Sequence, residues 1–291
     1  MYYLTMKGET VSVGWAVQRR ELCIPKPDGP LPPEELEKLQ SLTFGWAMAR
    51  VLALLLDSKL SGWDIERCLG RYAIRTLRPG RSLTVVELFD GGKSYSQQER
   101  LLFAQLCPNA TDPEPTPCAK LAIRIAVLFG QYSALAAETT ELILPGEDLY
   151  WLCAAMLAKR MGLPAGRLIY GCAEGSEVWA LLHRGQLRPD AANAEQISLA
   201  LWLLLGAAEA EQFRAAREAY TLSEERVQRL REQVFCACVS RSRAEQVMRS
   251  VQQATGYTLG IAAAMGYSGY QDCRIRRGGA RPVLLLQEEK P

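Results

Sequence analysis

The chain has 291 residues, 48% hydrophobic and 23% charged, with 34 Lys and Arg against 32 Asp and Glu for a formal net charge of +2. This apolar content suffices for a buried core and argues against disorder, and the near-neutral charge gives no case for an electrostatic nucleic-acid binder. No apolar run reaches the roughly 18 residues of a membrane span, and the opening MYYLTMKGE lacks a signal peptide's apolar core, so the expectation is a cytoplasmic protein of one large domain or two smaller ones.

In chain order, Tyr2–Lys7, Val11–Val13 and Glu21–Ile24 read as short extended pieces, closed off by the proline-rich Pro25–Pro33. Pro33–Asp57 reads as one helix, with Glu34, Glu35 and Glu37 favouring its first turn. Ser61, with Asp64 three residues on, caps a second helix expected to run to about Leu77. Leu83–Phe89, Glu141–Leu144, Leu168–Gly171 and Pro282–Leu286 are short apolar runs of strand length. The first three lead through a turn into helical patterns beginning near Ser94, Glu147 and Glu174, and a further helix over Cys118–Ala137 precedes the second strand. Strands alternating with helices imply a parallel sheet covered on both faces, and runs such as VVELF and VLLL fit buried parallel strands.

Beyond Pro189 the pattern is nearly all helix. Ala194–Gly206 is apolar almost all round and should be buried. Thr221 with Glu224 caps a charged helix over Leu222–Cys238, and Ser242 with Glu245 caps Arg243–Thr255, which Gly256 closes. The reading is an α/β fold, a parallel sheet flanked by helices with a helical C-terminal part. Residues 1–80 form an N-terminal strand and helix subdomain, and residues 81–291 the α/β core with its helical end. One linker-like stretch stands out, Pro108–Pro117, with four prolines in ten residues.

The nine cysteines are scattered, contain no CxxC pair and lie mostly in apolar segments, so reduced buried thiols are expected and no metal site. Cys236 and Cys238 are too close for a zinc knuckle. His183, the one histidine, reads as a cation at a helix C-terminus. Arg274, Arg276, Arg277 and Arg281 form a basic cluster read as a solvated loop, with docking of an acidic partner as the alternative. Between a strand and a helix, Asp90-Gly91-Gly92-Lys93-Ser94 has part of a phosphate-loop pattern, but Glu87 stands where that pattern needs a glycine. A tight turn is the better reading, with Gly91, Gly92, Lys93 and Ser94 as candidates for holding a small anion.

Several segments together resemble the threonine synthase family. MYYLTMKGETVSVGWAV and ELCIPKP resemble the family's opening. VVELFDGG resembles the strand and turn before the cofactor lysine. PGEDLYWLCAAMLAKRMGLPAGRLIYGCAE resembles the phosphate loop and its helix, whose Ala-Lys-Arg-Met-Gly-Leu-Pro ending is reproduced at Ala158–Pro164. Tyr220–Leu230 and Ala254–Leu259 (ATGYTL) resemble two C-terminal landmarks. The resemblance implies the fold-type-II pyridoxal phosphate architecture and a reaction of O-phosphohomoserine with water to give threonine and phosphate.

Pyridoxal phosphate chemistry needs a lysine for the Schiff base and backbone amides for the cofactor phosphate. Counting from Gly91, the position of the family's lysine is Gln97, and no lysine lies between Ser94 and Pro117, which leaves Lys93 as the nearby amine. Glu147, Asp148, Leu149, Tyr150 and Trp151 stand where the phosphate loop is expected, two carboxylates where a dianion should sit, and Glu147 and Asp148 equally suit a helix start. The substrate-phosphate segment corresponds to Ala200–Leu205 (ALWLLL), a polar C-terminal run to Gly260–Ala264 (GIAAA), and the final strand's polar partners to Gln287 and Glu288. The family's second phosphate cradle and small domain have no counterpart, and Pro108–Pro117 splices across their place. The resemblance therefore implies a degenerate, shortened member without cofactor, a pseudoenzyme with a binding or regulatory role, acting through a homodimer, another protein or a small ligand in a remodelled cleft, and not through nucleic acid or membrane. The alternatives are an active pyridoxal phosphate enzyme with its lysine re-sited at Lys93, an unrelated transferase using the glycine–lysine turn, or a structural partner of an intact threonine synthase.

Overall fold

A computed structural model describes residues 2–19, 21–26, 30–70, 73–77, 83–89, 92–131, 139–278, 282–288 and 290. The chain divides into two compact units. The first comprises Met1–Tyr72, Phe89–Ala137 and Cys153–Pro164, and the second Ala73–Leu88, Glu138–Leu152 and Ala165–Pro291.

In the first unit, β1 (Tyr2–Thr5) pairs antiparallel with β2 (Thr10–Ser12) on one side and β3 (Cys23–Lys26) on the other. Between β2 and β3 lies α1 (Val13–Gln18), capped by Ser12. The buried Tyr3 anchors this sheet by donating its hydroxyl to the Leu55 carbonyl at 3.0 Å. The helix expected over Pro33–Asp57 is two helices, α2 (Pro33–Ser41) and α3 (Phe44–Leu56), because Leu42 and Thr43 take extended ψ angles of 152° and 162°. The break has a packing reason: α2 buries only Leu39, whereas α3 buries seven residues from Gly45 to Leu55. Ser61 and Asp64 do form the capping box of α4 (Gly62–Leu69), but that helix stops at Gly70, whose φ is +69°, and does not reach Leu77.

Two further helices complete this unit, α5 (Tyr95–Leu106), which begins beside Ser94 as expected and has it at its N-cap, and α6 (Pro117–Gly130). The expected extension of α6 to Ala137 falls on residues 132–138, outside the described residues. Every residue of α6 but Lys120 is buried, and the helix lies so close to α3 that a Cβ on Gly130 would stand 2.7 Å from Phe44. Its buried charge, Arg124, bonds Glu99 of α5 at 2.9 Å, and the Tyr95 hydroxyl donates to the same carboxylate at 3.1 Å.

The second unit is built on a six-stranded sheet. Its strands are β4 (Ala73–Leu77), β5 (Leu83–Glu87), β6 (Thr140–Ile143), β7 (Ala165–Cys172), β10 (Val234–Cys238) and β11 (Val283–Gln287), in the order β10-β7-β6-β11-β5-β4. Five strands run parallel and β4 pairs antiparallel on the edge. All four expected strands are present. The elements between β6 and β10 are α7 (Leu149–Arg160, which divides between the units after Leu152), α8 (Glu177–Trp179, continuing as a π-turn over Ala180–Arg184), the short pair β8 (Gln186–Leu187) and β9 (Tyr220–Thr221), α9 (Ala194–Leu205), α10 (Ala207–Ala215) and α11 (Glu224–Gln233). α12 (Arg241–Thr255) and α13 (Ile261–Arg277) follow β10.

Alternate strand residues, among them Leu83, Val85, Ile143, Ile169, Phe235, Val283 and Leu285, join one core with Val247 and Val251 of α12 and Ala263 and Tyr267 of α13. Val86, Leu142, Tyr170, Leu284 and Leu286 at the intervening positions are buried too, as a sheet covered on both faces requires. Helix α13 sits directly on β7, and a Cβ on Gly171 would fall 1.8 Å from the Met265 carbonyl oxygen.

Several expected boundaries move. The segment expected to be one helix over Leu222–Cys238 is α11 followed by β10, which pairs parallel with β7. Ser223 and Ser240 cap α11 and α12, accepting from the backbone N–H of Arg226 and Arg243, in place of the expected Thr221 and Ser242. Gly256 closes α12 at φ +73° as expected. Arg274, Arg276 and Arg277 lie in the last turn of α13, not in a loop, where they complement its carbonyl end, and Arg281 is outside the described residues. His183 lies one residue before the end of the π-turn, edge-on to Trp179 at 3.9 Å, and burial followed by the nearby Arg231 and Arg276 charges lowers its pKa. Among the described residues, no helix is long and apolar enough to cross a membrane.

Candidate functional site

Open parallel sheets bind ligands beyond the carboxyl ends of their strands, so the edge where β5, β6, β7 and β11 finish is the place to look for a site in the second unit. There Glu87 and Gln287, the last residues of β5 and β11, lie opposite each other in register. Both are buried, at 8% and 2% exposure. The Tyr257 hydroxyl donates to Glu87 Oε1 at 2.8 Å, and Gln287 Nε2 donates to the Tyr257 oxygen at 3.4 Å. The Gly260 N–H, at the start of α13, donates to Gln287 Oε1 at 3.1 Å. Trp151 donates its indole N–H to Glu288 at 2.7 Å. The polar ends of these strands therefore bond to side chains and backbone of their own unit.

The turn from β6 into α7 carries the expected degenerate phosphate loop. Gly146 takes a φ of +52° and Glu147 is exposed. Asp148 acts on the helix start, as its carboxylate accepts the Tyr150 N–H at 2.9 Å. Gln196 of α9 reaches across to accept the Leu149 N–H at 2.9 Å. The Trp151 N–H goes to the Asp148 carbonyl at 3.2 Å, which also accepts the Tyr170 hydroxyl. Tyr150 is buried and its hydroxyl bonds Glu195. The first amides of α7, the donors a helix start would offer to an anion, are thus bound by the protein's own acceptors. Ala200–Leu204 of α9 are buried core, with no polar side chain left to meet a phosphate.

The other candidates lie in the first unit. Gly91 is outside the described residues. Gly92 takes a φ of +83°, Lys93 is exposed, and Ser94 caps α5. Gln97 is exposed on the first turn of α5, and its Oε1 accepts the Ser94 N–H at 3.0 Å. The residue at the lysine position thus serves as the third residue of a capping box. Next to it Gln98 is buried, its Nε2 donating to the Lys93 carbonyl at 3.5 Å and its Oε1 without a partner. Gly92, Lys93 and Ser94 thus stand together in one unit, and Glu147, Asp148 and Tyr150 in the other.

Sequence reasoning missed Tyr257, Gln196 and Glu195 as members of these networks. ATGYTL pointed to the Tyr257 segment as a landmark, but nothing local in Ala194–Leu205 marks Gln196 as an acceptor for a helix 47 residues earlier. All nine cysteines are free thiols, and five of them are buried. No group of three or more metal-ligating side chains occurs among the described residues.

No protein-family model and no curated protein matches the chain. Solved structures do. The structure of pyridoxal phosphate-bound threonine synthase from Brucella melitensis superposes with a TM-score of 0.79 at 15% identity, covering 100% of this chain and 89% of that one. Threonine synthase from Escherichia coli gives 0.70 at 18% identity, with the same coverage. The yeast enzyme gives 0.77 at 12% identity, covering 100% of this chain and 87% of its own. At such identities the likeness is one of fold: the chain has a threonine synthase-like α/β fold.

Proposed function

We propose that this threonine synthase-like chain has given up pyridoxal phosphate chemistry and works in the cytoplasm as a binding or regulatory protein, through a protein partner, a second copy of itself or a small ligand. The observation that carries the reading is the start of α7, where Gln196 and Asp148 accept the Leu149 and Tyr150 amides and two carboxylates precede them. A phosphate dianion there would have to displace these acceptors and sit beside like charge. These residues do not fit the cofactor's phosphate. Gln97 supports the same reading, since a side-chain amide forms no imine and this one is engaged in capping α5. Pro108–Pro117, which follows α5, is read as the place where a small domain has been lost.

The experiment is thermal unfolding of the full chain with saturating pyridoxal phosphate, O-phosphohomoserine or inorganic phosphate. The reading predicts no rise in Tm with any of them. A rise that saturates with ligand concentration overturns it, because any ligand specific for the folded state must raise stability.

A second reading, an active enzyme with its amine re-sited, rests on Lys93, which is exposed immediately before the N-cap of α5. It predicts an imine that disappears in Lys93→Ala.

A further inference from the structure

The carbonyl ends of α11 and α13 lie where β10 and β11 begin, at the edge of the sheet opposite Glu87 and Gln287. Guanidinium groups from β7, α11 and α13 gather there. Arg167 of β7 donates to the Gly278 and Arg277 carbonyls at 2.9 and 3.4 Å. Arg277 donates to the Arg231 carbonyl at 2.9 Å and lies over the Phe235 ring, and Arg231 donates in turn to the His183 carbonyl. Glu141 pairs with Arg167 and Glu224 with Arg231. Arg274 and Arg276 are exposed and form no ion pair with a described residue. Between them in the chain stands Ile275, at 80% exposure the most exposed large apolar side chain among the described residues.

We propose that this end of α13 is a docking surface for an acidic segment of a partner protein, one that sets an apolar side chain between carboxylates. Successive helix residues point about 100° apart, so Arg274 and Arg276 flank Ile275 on either side. An apolar side chain laid against Ile275 brings its neighbouring carboxylates within reach of both guanidinium groups. Each guanidinium can take a carboxylate through two parallel N–H donors, which an ammonium cannot do.

Helix capping does not account for these two arginines, because Arg167 already donates to the last carbonyls of α13. The positive field also reaches neighbouring groups. After burial, the charges of Arg231 and Arg276 are what lower the His183 pKa, so the surface disfavours a further cation and favours an anion. A protein segment fits better than a nucleic acid. The formal net charge of +2 gives a polyanion little long-range attraction, and a phosphate backbone offers nothing apolar to Ile275. Arginine beside an exposed apolar side chain is the composition of a protein interface.

The inference rests on the reading of the chain as a binding protein and names the surface it uses. Cofactor binding would overturn that reading through the α7 loop at the other edge of the sheet, whereas failure of this surface shows only in peptide affinity. The experiment is selection of a random displayed peptide library on the full chain, then fluorescence anisotropy of the enriched peptides. The expected result is peptides with Asp or Glu on both sides of an apolar residue. Their binding should weaken with added salt and fall at least about tenfold in Arg274→Gln/Arg276→Gln. Ile275→Ser should weaken it too. Arg217→Gln/Arg249→Gln, which removes two other exposed arginines, should bind as the wild type does and separates this surface from net charge. Every changed side chain is exposed, and near-ultraviolet circular dichroism checks that each variant folds. No acidic peptide enriched, or affinity unchanged in correctly folded Arg274→Gln/Arg276→Gln, overturns the surface. A single-stranded oligonucleotide that displaces the peptide and binds more tightly, with the same dependence on Arg274 and Arg276, overturns the choice of a protein partner.

Discussion

The Tyr257 hydroxyl donates to the Glu87 carboxylate at 2.8 Å, joining residues 170 apart in the chain. Glu87 is the buried end of β5, and Tyr257 follows the glycine that closes α12. Tyr257→Phe keeps the ring and removes one donor from a buried carboxylate. The expected cost is about 1–3 kcal/mol, seen as a lower denaturant midpoint at unchanged slope. A midpoint equal to the wild type would show that Glu87 does not depend on Tyr257.

The Arg124–Glu99 pair in the first unit is almost fully buried, with side-chain exposures of 5% and 4%. Arg124→Met leaves a buried carboxylate without its counter-charge and should cost about 3–5 kcal/mol. The double variant Arg124→Met/Glu99→Leu should recover most of that loss. Equal losses in the single and double variants would place the cost in packing rather than in an unpaired charge.

Gly171 admits no side chain, since its Cβ would stand 1.8 Å from the Met265 backbone oxygen. Gly171→Ala must push α13 off β7 and should cost at least the ~1–3 kcal/mol typical of overpacking. Gly175, four residues on, has open space around its Cβ position and a φ of +88°. Gly175→Ala should cost only the backbone strain, about 1–2 kcal/mol. Chemical denaturation of the two variants gives the order, and the reverse order would contradict the close approach of α13.

Hydrogen bonds from the Ser61 hydroxyl and N–H, then the Arg67 guanidinium, bring Asp64 from 3.8 to about 2. A carboxylate depressed in the folded state adds stability that is fully present above its unfolded pKa and is lost as the pH falls through the folded value. The stability difference between wild type and Asp64→Ala should therefore be constant above about pH 4 and shrink toward pH 2. A difference independent of pH over that window would show that charge is not what Asp64 contributes.

Legibility in the sequence followed how local each cause is. β5, β6 and β11 were readable because strands buried on both faces are continuous apolar runs. The capping box at Ser61 was readable because its partner Asp64 lies three residues away. β10 was not, since VFCAC follows the charged α11 with no glycine or proline between them, and only pairing with β7 makes it a strand. β4 was not, because AIRTL carries an arginine that an edge strand tolerates and an apolar pattern hides. At the candidate site the substitution at Gln97 could be read by counting, but not its capping role. The filling of the α7 amides depended on Gln196, brought there by tertiary packing alone.

The most direct test of the central claim is the absorbance spectrum of the purified full chain with excess pyridoxal phosphate, followed by borohydride reduction and mass spectrometry. The account predicts no imine band at about 410–430 nm beyond that of free lysines and no stoichiometric adduct at a defined residue. A saturable band with one reduced adduct per chain, at Lys93 or any other single lysine, would contradict it.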